Sequence, residues 1–409
     1  MAQPLRAALP FLLAFLAIAG GILWWRFAVP PQPGALTLRQ TRFADLPGWP
    51  MSDPSAAMVG FRRSCDVLAK KPASTPMGRA GYAGAVRDWL QACAAAATAK
   101  DARLFFTDHF TPMEVSAGGD REGLFTGYYE PEIEASRTRH GAYATAVYGV
   151  PEDLIEVDLG AFRPEWAHEK IAGKLEDHRL VPYPDRAAID AQGLKTAPIL
   201  FYARDPIAVF FLHIQGSGRV AFDDGTAARV VYAAQNGQPY TAIGRTLIRE
   251  GAIPRNAVSL QSIRAWLKTH RDQAMRVMET DRSFVFFREE PLKDPALGAA
   301  GSEGVALTPG ASLAVDLRLH PLGVPFFVAA TVPDADAKQP DRPFDHLLIA
   351  QDTGGAIRGA VRGDVFWGFG SDAQAIAGRM KAQGELFVLL PKPVAARLGR
   401  GKAFAVTAP

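Results

Sequence analysis

The chain has 409 residues, of which 48% are hydrophobic, and it is therefore long enough for two or three domains with cores of their own. Its 45 basic and 42 acidic residues give a formal net charge of +3, and no basic cluster is interleaved with aromatic residues, so the composition argues against a nucleic-acid partner. The 38 glycines and 31 prolines are scattered, which favours a protein rich in loops and strands over a helical bundle.

An uncharged segment opens the chain and runs from Ala7 to Trp25, between Arg6 and Arg26. About 20 apolar residues cross a bilayer as a helix, so residues 1–30 are predicted to hold an N-terminal membrane-anchoring helix. The alternative is a cleaved signal peptide, whose apolar region usually has about 7–15 residues. No cysteine follows the segment closely, which argues against a lipoprotein anchor. Either interpretation exports the rest of the chain.

Residues 41–110 are predicted to be mainly helical, because apolar side chains recur at helical spacing in the alanine-rich stretch 81–99. This region holds both cysteines of the chain, Cys65 and Cys93. Neither has a neighbouring His or Cys, so they make a poor metal site. In an exported protein they could form a disulfide, and two buried thiols on helices are the alternative.

Strands are predicted next. Residues 123–138 are rich in aromatic residues and threonine and partly alternate, and residues 198–222 contain two strand-like runs with Gly-Ser-Gly as a turn inside the second. In residues 223–248, Asp-Gly and Asn-Gly turn signals separate apolar stretches.

The last third returns to strands after one helical stretch. Residues 259–280 are predicted to be a helix whose apolar stripe of Ile263, Trp266, Leu267 and Met275 packs in the core. Further strands are predicted within residues 312–332, 346–355 and 385–392, and residues 294–310 are predicted to be a flexible connection. Short strands separated by Gly and Pro indicate a barrel or sandwich rather than a parallel α/β sheet.

Three aspartates of this region lie close to strand-like runs: Asp316, Asp352 and Asp364. Calcium-type binding needs more closely spaced oxygens, and an aspartic protease needs two equivalent Asp turns where the chain has one Asp-Thr-Gly. Cleavage of a glycosidic bond needs a carboxylic acid that stays protonated near neutral pH. The apolar neighbours of Asp364, residues 365–367, could raise its pKa by disfavouring the charged form. The alternative is that Asp364 merely caps a turn.

Five segments in order carry a resemblance to a known family: "GLFTGYYEPEIEASR", "FFLHIQGSGRV", "AAQNGQPYTAIGRTLI", "SFVFFRE" and the segment from "ASLAVDLRL" to "RGDVFWG". Together they resemble the MltA family of lytic murein transglycosylases. The resemblance implies a mainly β fold with some α. Residues 31–128 and 290–409 would form a double-psi β-barrel, ending in a 3D domain at about 310–392. A smaller β domain, 129–289, would be inserted between them, and the glycan would lie in the groove where the two meet.

The same resemblance implies the site residues. Asp364 would be the acid/base, Asp352 the second carboxylate and Asp316 the third. Sugar contacts would come from Thr126, Gly127 and Tyr128 on the barrel side and from Gln215 and Ser217 on the inserted domain. Structural roles compete with these, since Tyr128 suits a core and Gly-Ser-Gly suits a simple turn. The residue pair Pro184–Asp185 departs from the pattern expected of the family.

The implied activity is non-hydrolytic cleavage of the β-1,4 bond between N-acetylmuramic acid and N-acetylglucosamine, with formation of a 1,6-anhydro ring. No metal and no organic cofactor is expected. The expected partners are peptidoglycan glycan strands and, through the N-terminal helix, the inner membrane, with cell-wall synthesis enzymes as further candidates and no nucleic acid. The catalytic domain is expected in the periplasm. The alternative function is a non-catalytic peptidoglycan-binding or scaffold protein of the cell envelope.

Overall fold

The computed structural model describes residues 35–166, 169–292 and 294–399, and the backbone of 404–406. Its strands are β1 (Leu36–Gln40), β2 (Phe110–Ala117), β3 (Glu122–Glu130), β4 (Glu132–Ser136), β5 (Thr145–Tyr148), β6 (Ile155–Asp158), β7 (Lys170–Glu176), β8 (Arg179–Pro182), β9 (Ile199–Ala203), β10 (Ser217–Phe222), β11 (Ala227–Gln235), β12 (Val285–Glu290), β13 (Ser312–Ala314), β14 (Pro325–Val332), β15 (Arg342–Asp352), β16 (Arg362–Phe369), β17 (Lys381–Pro391) and β18 (Phe404–Val406). Its α-helices are α1 (Ser55–Leu68), α2 (Arg87–Thr98), α3 (Ala102–His109), α4 (Arg186–Gln192), α5 (Pro206–Gln215), α6 (Ile243–Arg249), α7 (Leu260–Thr269), α8 (Arg271–Met278), α9 (Gly370–Arg379) and α10 (Lys392–Leu398).

Six strands close into a barrel. The largest sheet runs β14-β15-β13-β16-β3-β17-β2-β1-β18, and β14 also pairs with β17, which joins the ends of the first six strands. Most pairs are antiparallel, but β13 with β15 and β16 with β3 are parallel. Closure removes the exposed edges of these six strands and buries their apolar side chains inside. The predicted choice of a barrel or sandwich is therefore confirmed, as a barrel within a mixed α and β fold.

The barrel core is filled by long apolar strands and capped by helices. Phe326, Phe327 and Val328 of β14 are fully buried, and α1 packs against β15. A disulfide joins Cys65 of α1 to Cys93 of α2 across 28 residues, which is the first of the two alternatives that the sequence left open. In the chain-entropy view a loop of this length gives about 3–4 kcal/mol of stabilisation.

The part of the chain that follows β3 and precedes β13 forms a second sheet of six strands. Its order is β12-β11-β10-β4-β9-β5, and β6, β7 and β8 form a separate three-stranded sheet. The two larger sheets meet at a buried ion cluster. Glu130, the last residue of β3, accepts hydrogen bonds from Arg219 (3.1 Å) and Arg229 (2.6 Å), and Arg229 also donates to the carbonyl of Leu297. This cluster joins the barrel strand, the second sheet and the returning segment.

One predicted strand is wrong. Residues 206–215, expected to be extended, form helix α5. Asp205 caps its N-terminus by accepting from the N–H of Ile207, Pro206 occupies the first turn, and Gly216 ends it in the left-handed region at φ 76°. The helix is apolar on nearly every side, so its sequence carries no amphipathic period to separate it from a buried strand. Gly216 is thus a helix cap, and the strand begins at Ser217.

The predicted helix over residues 259–280 is two helices. It breaks at His270, which lies between α7 and α8. Ile263 and Trp266 pack on the buried Leu267 as predicted, but Met275 is 40% exposed and does not belong to the stripe. Residues 294–310, predicted to be flexible, are held to the barrel by backbone and side-chain hydrogen bonds, including one from Arg63 to the carbonyl of Ala306.

The predicted N-terminal helix of residues 1–30 lies outside the described residues. Within the part of the chain that the structure describes, no helix combines the length and the apolar character that crossing a bilayer requires.

Candidate active site

Four neighbouring strands of the barrel bring two of the predicted aspartates together. The short strand β13 lies between β15 and β16, and its Ala314 is the register partner of Asp352 on one side and of Asp364 on the other. Strands lie about 4.7–4.9 Å apart, so the two aspartate backbones are about 9–10 Å apart with one small residue between them. On the far side of β16, strand β3 places Thr126 directly beside Asp364.

Asp364 lies at the end of a hydrogen-bonded chain. Thr126 donates its hydroxyl to Asp364 Oδ1 at 2.6 Å, and Arg362 donates to that same hydroxyl oxygen at 2.8 Å. Arg362 and Asp364 are two residues apart on one strand, so both side chains emerge on the same face. The carboxyl is therefore held in one orientation by a neutral donor, and the Arg362 guanidinium contacts that donor rather than the carboxyl itself.

The surroundings of Asp364 favour its protonated form. Burial raises the pKa of its carboxyl above the usual range, and the negative charge of Asp352 adds to this rise, while the Thr126 hydrogen bond and the Arg362 charge oppose it. Phe366 follows on the same face of β16 and packs against the ring of Tyr128, 5.2 Å between centroids. The aromatic neighbours thus supply the apolar surroundings that the sequence predicted.

Asp352, the last residue of β15, is fixed by four donors. Tyr128 donates its hydroxyl to Oδ2 at 2.9 Å. Oδ1 accepts from the hydroxyl of Ser302 at 2.7 Å, from its backbone N–H at 3.0 Å, and from the N–H of Thr353 at 2.9 Å. Burial and the nearby Asp352 raise the pKa of Tyr128 well above its ordinary value, so this tyrosine remains a donor. The carboxylate has little freedom to turn.

The backbone of Asp316 lies near that of Asp352, since the preceding residue Val315 donates to the Asp352 carbonyl, but the Asp316 carboxylate bonds to other residues. It is fully buried and forms a two-point ion pair with Arg318, at 3.0 and 2.6 Å, and it also accepts from the N–H of Gly359 at 2.9 Å. Burial alone would raise the pKa of Asp316, but these hydrogen bonds hold it below the usual range. The structure therefore does not bring Asp316 into the hydrogen-bonded cluster of Asp352 and Asp364.

Gly127 has a packing reason to be glycine. A Cβ at this position would lie 2.6 Å from the ring of Trp367 and 2.9 Å from the Cα of Ala377 in α9. Gly127 thus lets Trp367 and α9 approach the back of β3, while Thr126 and Tyr128 on either side of it face the carboxylates.

Gln215 and Ser217, the two sugar contacts predicted outside the barrel, lie where α5 ends and where β10 of the second sheet begins. Gln215, the last residue of α5, accepts from the backbone N–H of Tyr129 at 3.3 Å. Ser217 is the first residue of β10 and is partly exposed. Gln215 thus contacts β3 at Tyr129, one residue beyond Tyr128. Ser217 makes no hydrogen bond to either aspartate among the described residues.

Two residues of the cluster escaped the sequence analysis. Arg362 could have been found, because a period of two from Asp364 puts it on the same face of a predicted strand. Ser302 gave no signal, since it lies in a glycine-rich connection and reaches Asp352 from 50 residues away. Within the described residues, no group of three or more His, Cys, Asp or Glu side chains is arranged to hold a metal ion.

Comparison with known proteins decides the family. Residues 124–288 match the family profile of the MltA specific insert domain, and residues 311–390 match that of the 3D domain. The chain is 32% identical over 321 residues to membrane-bound lytic murein transglycosylase A of Escherichia coli K12, covering 78% of each protein. The chain belongs to the MltA family.

Solved MltA-family structures agree with this fold. A membrane-bound lytic murein transglycosylase from Agrobacterium tumefaciens is similar with a TM-score of 0.76 and 32% identity, covering 88% of this chain and 99% of that one. E. coli MltA with bound chitohexaose is similar with a TM-score of 0.64 and 25% identity, covering 88% and 95%.

Proposed function

We propose that the chain is a lytic murein transglycosylase that cleaves the β-1,4 bond between N-acetylmuramic acid and N-acetylglucosamine, with Asp364 as its single acid/base. The observation that carries the proposal is the environment of Asp364. Its carboxyl combines a raised pKa with a fixed orientation, and the residue as a whole is only partly buried. Family membership supports the same activity, since the relatives bear this name.

In the first step Asp364 donates its proton to the glycosidic oxygen. The bond from C1 of the muramic acid to that oxygen breaks, the N-acetylglucosamine leaves as an alcohol, and C1 gains oxocarbenium character. The negative charge that this leaves on Asp364, with that of Asp352, stabilises the positive charge at C1. Glycosidases ordinarily divide acid and base work between two carboxyl groups.

In the second step the same carboxylate acts as the base. Asp364 takes the proton from the C6 hydroxyl of the muramic acid, whose oxygen then bonds to C1 and closes the 1,6-anhydro ring. The proton given to the leaving group is recovered, no water is consumed, and Asp364 is ready for another cycle. We assign to Asp352 a supporting role, because all four of its donors are protein groups and its orientation is fixed by them.

The remaining predicted residues fit around this centre. Thr126 orients the acid, and Tyr128 orients Asp352 while its ring lines the groove. We assign Asp316 to the scaffold: it pairs with Arg318, which follows β13, and it accepts from the N–H of Gly359, which lies in the loop between Asp352 and Asp364. Gln215 and Ser217 would contact the glycan from the inserted side, and the chitohexaose bound to E. coli MltA supports an oligosaccharide as the ligand of the groove.

At the level of the fold, we propose that the barrel is of the double-psi type, built from residues 31–128 and 290–409 with a 3D domain at about 310–392. Residues 129–289 would be the inserted glycan-binding domain. The two parallel pairings inside an otherwise antiparallel barrel support this topology. We also propose a periplasmic catalytic domain held at the inner membrane through residues 1–30, with cell-wall synthesis enzymes as candidate partners.

The products of purified murein test the reaction. Digestion followed by mass spectrometry should give muropeptides that end in 1,6-anhydromuramic acid and lack the added water of hydrolysis. Reducing-end muramic acid in its place would make the protein a hydrolase and refute the second step.

Substitution of the acid tests the assignment of Asp364. Asp364→Asn should reduce product formation by about 10³-fold or more, while a co-sedimentation assay still shows binding to intact murein. Asp316→Asn serves as a comparison, since its effect should appear as a lowered melting temperature. Undiminished turnover in Asp364→Asn would remove this residue as the acid, and a wild-type protein that binds murein without cleaving it would favour the scaffold alternative.

A further inference from the structure

The segment that returns the chain to the barrel makes a tight turn against Asp352. This turn, residues 301–305, is closed by two backbone hydrogen bonds of 2.9 and 2.8 Å. Its second residue, Ser302, supplies two of the four donors to the Asp352 carboxylate. The position of the turn therefore decides half of the hydrogen bonds that fix this carboxylate.

Glu303 fastens the turn to the barrel and to helix α1. Its N–H donates to the carbonyl of Gln351 on β15 at 3.0 Å. Its carboxyl Oε2 accepts from the hydroxyl of Ser64 at 2.6 Å, and Ser64 belongs to α1 and is fully buried. The residue that follows Ser302 is thus held by its backbone on one element and by its side chain on another.

The same helix contact also holds the residue that precedes Asp352. Gln351 is fully buried, and its side-chain amide donates to the hydroxyl of Ser64 at 3.0 Å and accepts from the hydroxyl of Ser312 at 2.7 Å. Ser64 is therefore the common partner of two side chains, one next to Asp352 in the chain and the other next to its donor Ser302. A single buried hydroxyl links the carboxylate and its donor from behind.

The carboxyl of Glu303 is an energetically unfavourable anchor. Its Oε1 is buried and has no hydrogen-bond partner among the described residues. Burial raises the pKa of Glu303 to about 7, although the Ser64 hydrogen bond and the positive charge of Lys71, which follows α1, oppose this rise. Burying a carboxyl with one oxygen unpaired costs free energy, so the stability of the fold gives no reason for a carboxyl at this position.

We propose that Glu303 is a positioning residue for the reaction: its bond to Ser64 holds the turn so that Ser302 keeps Asp352 in its working orientation. This inference rests on the proposed function, because Glu303 acts through the supporting carboxylate of that mechanism. Without its two Ser302 donors, Asp352 would move relative to C1, and its stabilisation of the positive charge there would weaken with distance. That charge develops only in the transition state, so the loss falls on kcat rather than on KM.

Kinetics on soluble murein glycan strands at pH 6, where Glu303 is mostly protonated, test the proposal. Glu303→Ala and Ser64→Ala should each lower kcat by about tenfold or more, while KM stays within about twofold. Glu303→Gln keeps an oxygen that accepts from Ser64 and the shape of the protonated acid, so it should retain kcat to within about twofold.

Asp88→Ala is the matched control. Asp88 is a partly buried carboxyl of α2 that pairs with Arg397 at 2.8 Å. Its loss should lower the melting temperature and leave kcat unchanged, because no hydrogen bond connects it to the turn. The double variant Ser302→Ala/Glu303→Ala should be no slower than Glu303→Ala alone, since the displaced turn has already withdrawn the Ser302 hydroxyl.

A second measurement does not depend on turnover. Amide hydrogen exchange, followed by mass spectrometry on peptides that cover residues 300–306, should be at least about tenfold faster in Glu303→Ala than in the wild type and unchanged in Asp88→Ala. Unchanged exchange in Glu303→Ala would overturn the inference even if the wild type released no anhydro product, a result that would itself refute only the proposed function.

Three kinetic results would also overturn the inference. The first is an unchanged kcat in Glu303→Ala or Ser64→Ala. The second is a loss of kcat in Glu303→Gln as large as that in Glu303→Ala, which would show that the hydrogen bond to Ser64 is not what matters. The third is a double variant whose loss equals the product of the two single losses, because Glu303 would then act independently of Ser302.

Discussion

Replacing Thr126 with valine isolates the hydrogen bond that orients the acid. Valine keeps the branched shape of threonine, so strand β3 and its pairing with β16 are retained. The substitution removes the hydroxyl that donates to Asp364 at 2.6 Å and that also accepts from Arg362. Since this hydrogen bond favours the charged form, its loss should raise the pKa of Asp364 further.

The magnitude follows from the strength of one such bond. A hydrogen bond to a charged group contributes about 1.5–3 kcal/mol, and tenfold in an equilibrium constant corresponds to about 1.4 kcal/mol. In the proposed mechanism the first step needs the protonated acid, so activity should be present below the pKa of Asp364 and lost above it. The alkaline limb of the profile of kcat/KM against pH should therefore move upward by about 1–2 pH units in Thr126→Val.

The assay is the initial rate of anhydromuropeptide release from purified murein between pH 4 and 9, measured by chromatography with mass detection. Thr126→Ser keeps the hydroxyl and should leave the limb where the wild type has it. A limb that does not move in Thr126→Val would show that the hydroxyl does not act on the carboxyl whose titration limits activity. A downward movement would also refute the reasoning, because it would mean that Arg362 pairs with Asp364 directly once the hydroxyl is gone.

Three further substitutions test the energetics around the site. Because burial raises the pKa of Asp364, its ionised form opposes folding at neutral pH. Asp364→Asn should therefore melt about 1–2 °C higher at pH 7 for each 1 kcal/mol relieved, and this gain should vanish below about pH 4, where the acid is protonated in both the folded and the unfolded state. Glu303 follows Ser302 in the chain, and its carboxyl accepts from the hydroxyl of Ser64 at 2.6 Å. Burial raises the pKa of Glu303 to about 7, so wild-type stability should fall between pH 4.5 and 7 and then level off. Glu303→Gln should show no such fall when thermal unfolding is compared at pH 5 and 8. Gly127→Ala should cost about 1–3 kcal/mol in denaturant unfolding, because its methyl group overlaps the Trp367 ring, and an unchanged midpoint would contradict this packing.

Much of the barrel could be predicted because its strands obey local rules. Apolar runs bounded by Gly and Pro identified the strands around residues 325–332 and 385–391, and the aromatic neighbours of Asp364 correctly indicated an apolar environment. Helix α5 could not be predicted in the same way, since a segment buried on all sides has no hydrophobic period. Its sequence carries helix signals only at its ends, in Asp205, Pro206 and Gly216.

The contacts within the site were beyond local rules. Ser302 meets Asp352, and Thr126 meets Asp364, only because distant strands pair in one register, and no spacing in the sequence encodes that register. Tyr128 shows why the choice between core and site was left open. It packs its ring on Phe366 and donates its hydroxyl to Asp352, so the two interpretations describe two ends of one side chain.

Because β3 pairs with β16, which comes much later in the chain, the site cannot form until β16 has been synthesised. Thr126 and Asp364 are 238 residues apart, so the ribosome must add that many residues after Thr126 before the two can meet. At about 5–20 residues per second this takes on the order of 10–50 s. Until then the nascent chain holds a threonine without its carboxyl partner, and any fragment that ends before β16 lacks the groove's central hydrogen bond. On the proposed mechanism the chain therefore gains its cleaving activity only near the end of its synthesis.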